Sequence, residues 1–143
     1  MPASTYQGIL FLCTGNSCRS QMAEGFARLR APAGVRVFSA GTAPTGEVHP
    51  LAIRVMSEAG VDLSGHRSKG LSEIPLYSVE LVVTVCGSAD EACPVPPRTA
   101  ARIHWPVPDP AKATGSEEEV LATFRKVRDD LRQRVDGLVE GFL

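Results

Sequence analysis

The stretch LFLCTGNSCRSQMAEGF, Leu10 to Phe26, decides how this chain is read. It completes an apolar run begun at Gly8 (GILFLC), and that run stops abruptly on Cys13. A polar loop with Gly15, Asn16 and Arg19 follows. Met22, Phe26 and Leu29 then recur at i, i+4 and i+7, which predicts one buried face of a helix beginning at Ser20. Further apolar runs stand at VRVFSA (Val35 to Ala40) and LVVTVC (Leu81 to Cys86), with a weaker one at RIHW (Arg102 to Trp105). Continuous apolar strands alternating with helical patterns predict an α/β fold whose parallel sheet is covered on both faces.

Two more helices are marked. Pro50 to Ala59 has proline in its first turn and Gly60 just beyond its end. Ser116 and Glu119 have capping-box spacing, and Glu117 and Glu118 suit the positive end of a helix dipole. Val120, Phe124, Val127, Leu131, Val135 and Leu138 then trace one apolar face towards Gly141. There are no repeats or linker-like segments, and residues 1–143 read as a single domain.

Composition narrows the function. With 43% hydrophobic and 22% charged residues and a net charge of −1, the chain is neither disordered nor a polyanion binder. Nucleic acid is therefore not an expected partner. No apolar run is long enough to span a bilayer, and no basic residue precedes the first one, so the chain reads as cytoplasmic, without membrane attachment. In a reducing compartment its four cysteines call for a catalytic, redox or metal-binding reading before a structural disulfide.

In a parallel sheet, ligands gather beyond the carboxyl ends of the strands. Cys13 and Cys86 each end a strand, and WPVPDPA (Trp105 to Ala111) follows another, so all three should open onto one edge. There, CTGNSCRS reads as an anion cradle built from Cys13, Thr14, Gly15, Asn16, Ser17, Cys18, Arg19 and Ser20. Gly15 and Asn16 tolerate the dihedrals of a tight curl, so successive amides can converge on an oxyanion above a helix N-terminus. Arg19 offers a planar fork to the same anion. These surroundings favour a thiolate at Cys13, to which Ser20 could donate a hydrogen bond. A plainer reading makes Cys13 a buried strand-end residue ahead of a capping loop. The strand before it, the Gly and Asn within it and the helix behind it favour the cradle.

Cys13 to Ser20 matches the C-x5-R-S signature of the low-molecular-weight protein tyrosine phosphatases. The longer string CTGNSCRSQMAEG resembles especially the arsenate reductases built on the same fold. The likeness continues through SAGT (Ser39 to Thr42) and DPA (Asp109 to Ala111). It implies a single-domain, four-stranded parallel sheet flanked by helices on both faces, with oxyanion chemistry at the loop. It also implies a general acid at Asp109, in a stretch stiffened by Pro106, Pro108 and Pro110, although by spacing alone an Asp-Pro turn would serve as well.

The remaining cysteines separate phosphatase from reductase. Cys86 and Cys93, in LVVTVCGSADEAC, resemble the redox couple of thioredoxin-coupled arsenate reductases. The resemblance implies a relay in which Cys13 binds arsenate, Cys86 then attacks Cys13, and Cys93 attacks Cys86. It further implies recharge by thioredoxin, and a monomer without a cofactor is expected. Cys86 could instead be a small buried hydrophobe, but Cys93, between Glu91 and Pro94, is harder to read as core. The C-x4-C and C-x6-C spacings are loose for zinc, and no metal is expected. Cys18 is assigned no catalytic step. A phosphatase, with weak activity of that kind expected in either case, and a thiol redox sensor without turnover are the alternatives.

Two smaller readings complete the site. Ala111 stands where tyrosine phosphatases of this type often carry an aromatic residue, and Trp105 is read as packing. Some relatives hold potassium behind the loop, and Asn16, Glu24 and Ser39 match three of its ligands. Lys69 falls at the fourth, which predicts a fixed ammonium in place of the metal, paired with Glu24. An exposed lysine unrelated to the site is the alternative. His49, His66 and His104 lack metal-ligand spacing and read as structural.

Overall fold

Each apolar run forms a strand. The computed structural model describes residues 6–86 and 100–142. Its strands are β1 (Gly8–Cys13), β2 (Arg36–Gly41), β3 (Leu81–Cys86) and β4 (Ala101–Pro106). The helices are α1 (Arg19–Arg30), α2 (Pro50–Glu58) and α3 (Glu117–Phe142). All strand pairs are parallel, in the order β2-β1-β3-β4. The chain therefore winds outward in both directions from β1 and β3, and the crevice between their carboxyl ends is the switch point of the sheet. Cys13 and Cys86 end the two strands that flank it.

β1 and β3 are buried along their whole length, as central parallel strands must be, and side-chain alternation divides them between two cores. Ile9, Phe11, Cys13, Val83 and Val85 join a larger core with Met22 and Phe26 of α1, Val55 and Met56 of α2, and Phe124, Leu131 and Val135 of α3. Leu10, Leu12 and Val82 join a smaller one with Ile74 and Val79, where the helical cover among the described residues is two single 3-10 turns, Leu71–Glu73 and Leu76–Ser78. Trp105 packs its ring 5.8 Å from that of Phe11 and serves the larger core.

The capping box of α3 forms in both directions. The Glu119 amide donates to Ser116 Oγ and the Ser116 amide to Glu119 Oε1, each at 3.2 Å. The predicted face is buried from Phe124 to Leu138, with Val120 packed at its margin. One expectation fails: Leu29 is 64% exposed. Its angular position on α1 is right, but burial on that helix ends at Ala27.

Candidate active site

Cys13 leaves β1 at the crevice, and the loop to α1 turns on Asn16, which adopts φ +49°. Asn16 takes the left-handed turn; Gly15 does not have a positive φ. Asparagine is among the few residues besides glycine that visit this region without a large penalty. Two features force the curl. Gly41, at the end of β2, lets the loop lie against its backbone: a Cβ there would stand 2.4 Å from the Thr14 carbonyl oxygen. The segment after β2 then runs alongside, its amides at Thr42, Ala43, Thr45 and His49 donating to the carbonyls of Cys13, Thr14, Gly15 and Ser17. Carbonyls held outward in this way turn the amides of a loop towards its centre, the arrangement of an anion nest.

The Cys13 sulfur accepts a hydrogen bond from the Asn16 amide at 3.2 Å and lies 2.9 Å from Ser20 Oγ. The direction of the second bond follows from its neighbours. The Lys69 amide donates to Asn16 Oδ1 at 2.9 Å, which fixes the orientation of that side chain. Asn16 Nδ2 accordingly donates to Ser20 Oγ at 2.8 Å, leaving the Ser20 proton for Cys13. Two donors thus converge on the sulfur, the environment a thiolate requires.

Arg19 is buried beside it. Its Nη1 donates to the Val107 carbonyl at 3.0 Å, and its Nη2 lies 3.8 Å from Asp109 Oδ2. The proline-rich run after β4 is thereby tied to the loop, and its acid is brought to the anion site. Asp109 also accepts from the Ala111 amide at 3.0 Å, which fixes its χ1 in an Asx turn. Cys13, Gly15, Ser17, Cys18, Arg19 and Asp109 share the walls of a cavity of about 410 Å³. Thr45, Glu47, His49, Pro50 and Ala111 also line it, and among the described residues no Phe, Tyr or Trp lines it to stack a phosphotyrosine ring.

Cys18 is present but passive. Burial, then the nearby Asp109 carboxylate, pushes its thiol up to about 12, and it stays protonated at neutral pH. Cys86 is buried at the end of β3. Leu12 pairs with Thr84, which puts Cys13 level with Val85 and Cys86 one residue further on. Side chains alternate along a strand, so Cys86 starts on the face opposite to Cys13. Cys93 lies outside the described residues.

Behind the loop, Asn16, Glu24, Ser39 and Lys69 come together. Asn16 Nδ2 donates to Ser39 Oγ at 3.0 Å, and Ser39 donates in turn to Glu24 Oε1. The Lys69 ammonium stands 3.3 Å from Ser39 Oγ and 3.8 Å from Glu24 Oε1, with only 18% of its side chain exposed. It is not a free surface lysine. Burial pulls its pKa down, opposed by the Glu24 carboxylate. With an ammonium against the two oxygens that a potassium ion would need, these residues do not fit a metal. His66 is structural here: its Nδ1 meets Gln21 Oε1 at 3.1 Å.

Thr45 and Glu47 are not singled out by the sequence, His49 is read there only as structural, and Gln21 is not singled out either. For the first three a signal existed: β2 is parallel to β1, so the loop leaving β2 must border the same edge. Gln21 carried none, because a polar residue on a predicted helix does not announce where its amide points.

A strand-end cysteine beneath an anion nest, with an arginine behind it and a carboxyl across the cavity, defines a class of α/β proteins that present a thiol to a tetrahedral oxyanion. Residues 8–142 match the family described as low molecular weight phosphotyrosine protein phosphatase, and the chain belongs to that family. The chain is 46% identical to the arsenate reductase of Halalkalibacterium halodurans over 132 residues, covering 92% of this chain and 94% of the relative. Among solved structures, the arsenate reductase of Archaeoglobus fulgidus superposes with a TM-score of 0.79 at 28% identity, over 92% of this chain and 98% of that one. The thioredoxin-dependent arsenate reductase of Corynebacterium glutamicum gives a TM-score of 0.61 at 27% identity, over 94% of this chain and 64% of that one.

Proposed function

We propose that this protein is a cytoplasmic, monomeric arsenate reductase that works through Cys13, Cys86 and Cys93 and is recharged by thioredoxin. The observation that carries the reading is the placement of two cysteines at the ends of adjacent parallel strands, one of them under an anion nest, on either side of the switch point. The name of the Halalkalibacterium relative supports arsenate as substrate, and that of the Corynebacterium structure supports thioredoxin as reductant. A phosphatase needs only Cys13, Arg19 and Asp109 and leaves the second cysteine without a task.

The Cys13 thiolate attacks As(V) while Asp109 gives a proton to the departing hydroxide, so an S–As bond forms and water leaves. Arg19 and the loop amides hold the charge of the remaining oxygens. The Cys86 thiolate then attacks the Cys13 sulfur. The S–As electron pair passes to arsenic, which departs as arsenite, and a Cys13–Cys86 disulfide remains. Cys93 attacks Cys86 and frees Cys13, and the dithiol of thioredoxin reduces the Cys86–Cys93 bond. Lys69 supplies the fixed positive charge beside Glu24, so no metal or cofactor is required. Hydrolysis of phosphate esters shares the first step and is a weak side reaction.

The test is arsenate-dependent NADPH oxidation with thioredoxin and thioredoxin reductase, run beside p-nitrophenyl phosphate hydrolysis. Sustained NADPH consumption with arsenite formed is the expected result. Ester hydrolysis with no arsenate-dependent NADPH consumption would overturn the thioredoxin-coupled reading, and substituting glutaredoxin with glutathione would then separate a phosphatase from a reductase with another thiol donor.

A further inference from the structure

We infer that Gln21 is a positioning residue for the oxyanion loop: it locks Asn16 in its left-handed turn and so aims the donors that meet Cys13. The inference rests on the reading of that loop as an oxyanion site.

Gln21 is fully buried in the first turn of α1, yet it lines no part of the active-site cavity. Its hydrogen bonds show what it does there. The Lys69 amide marks Asn16 Oδ1 as the oxygen, so the Gln21 atom 2.9 Å from it must be the nitrogen. The same Nε2 donates to the Arg67 carbonyl at 2.9 Å and approaches the Asn16 carbonyl at 3.3 Å. Gln21 Oε1 is thereby fixed as an acceptor, and His66 Nδ1, 3.1 Å away, must carry a proton. With two protons, this amide binds Asn16 Oδ1 and the Arg67 carbonyl and so joins the Asn16 side chain to the segment that carries Arg67 and Lys69.

What is clamped matters for chemistry. The Asn16 amide donates to the Cys13 sulfur, and its side chain sets the direction of the Ser20 proton. Rotation of Asn16 would withdraw the first donor and misdirect the second. Without the clamp, the left-handed φ of Asn16 rests on its remaining bonds to Lys69, Ser20 and Ser39. A glutamine kept out of solvent with its amide so engaged acts on the loop as well as filling space, because an apolar residue of the same length would fill that space without the desolvation penalty.

The experiment uses inorganic phosphate as probe with the full chain, Gln21→Met and Gln21→Glu. Phosphate Kd, melting temperature and the 15N–1H signals of the Asn16 side-chain amide are measured for each. Methionine keeps the shape and removes the donor, whereas glutamate keeps the shape and substitutes an acceptor. Both should bind phosphate on the order of ten- to a hundredfold more weakly, with the Asn16 signals shifted and exchange-broadened. His66→Ala, which unties the far end of Gln21, should give a smaller loss in the same direction. If Gln21→Met does not fold, the other two variants decide. Phosphate affinity within about twofold of wild type in the folded Gln21 variants, with the Asn16 signals unmoved, would overturn the inference. Failure of the wild-type protein to bind phosphate would overturn the oxyanion-loop reading instead.

Discussion

Exchanging potassium for sodium should leave this protein unmoved, and the reason can be put in numbers. An ion shared by Ser39 Oγ and Glu24 Oε1 would sit within roughly 4 Å of the Lys69 ammonium, which lies 3.3 Å and 3.8 Å from those atoms. At an effective dielectric of about 20, two positive charges at that distance repel by about 4 kcal/mol, close to a thousandfold in affinity. A site occupied at a hundred times its Kd would add about 2.7 kcal/mol to stability, on the order of 10 °C for a domain of this size. Melting temperature and kcat/KM for arsenate are therefore measured in potassium and in sodium at equal ionic strength. The wild type should show no such difference. Lys69→Asp crowds a second carboxylate against Glu24, so it should lose stability in sodium and regain several degrees in potassium. A comparable rise, or a severalfold gain in kcat/KM, in the wild type on moving to potassium would refute the idea that an ammonium has taken the place of the ion.

Three other outcomes can be checked directly. Cys93→Ser should release one equivalent of arsenite per enzyme and then stall with thioredoxin present, whereas Cys13→Ser should lose both reduction and ester hydrolysis; repeated turnover by Cys93→Ser would sink the relay as drawn. Cys18, pushed up to about 12, should resist iodoacetamide at about pH 8 in folded Cys13→Ser and react once the chain is denatured, as read by peptide mass. Glu58 of α2 accepts from Arg125 and Arg128 of α3, and these bonds, that from Arg125 first, hold its carboxyl down at about 2 against 4.5 in the unfolded chain. Because the folded value is the lower one, this stabilisation is complete above 4.5 and disappears as pH falls through about 2. Melting curves of Glu58→Gln should be flatter across that window and should converge on wild type at its acid end.

What could be read in advance follows from the range over which each feature acts. β1, β3 and the cradle between Cys13 and Ser20 are legible because burial and turn chemistry act over a few residues. The capping box at Ser116 and Glu119 is legible for the same reason. Leu29 misled because periodicity gives an angle about the helix axis and not where along it burial ends. Gly41 and Gln21 were opaque: one is needed for the close approach of Thr14, 27 residues before it, and the other for a bond to Arg67, 46 residues after it. Lys69 was located only through resemblance. Its partners Glu24 and Ser39 are distant in sequence, and their meeting depends on the β1–β2 pairing.

The alternation of β3 has a consequence for the economy of the resting enzyme. A disulfide needs Cβ atoms that point towards each other, and Cys13 and Cys86 begin on opposite faces of the sheet. For them to join, the end of β3 must peel from its ladder, giving up pairing such as the Val107 amide bond to the Cys86 carbonyl. The reduced protein is thereby insulated against short circuit. A stray oxidant meets two thiols that cannot close on each other without a strand end being undone.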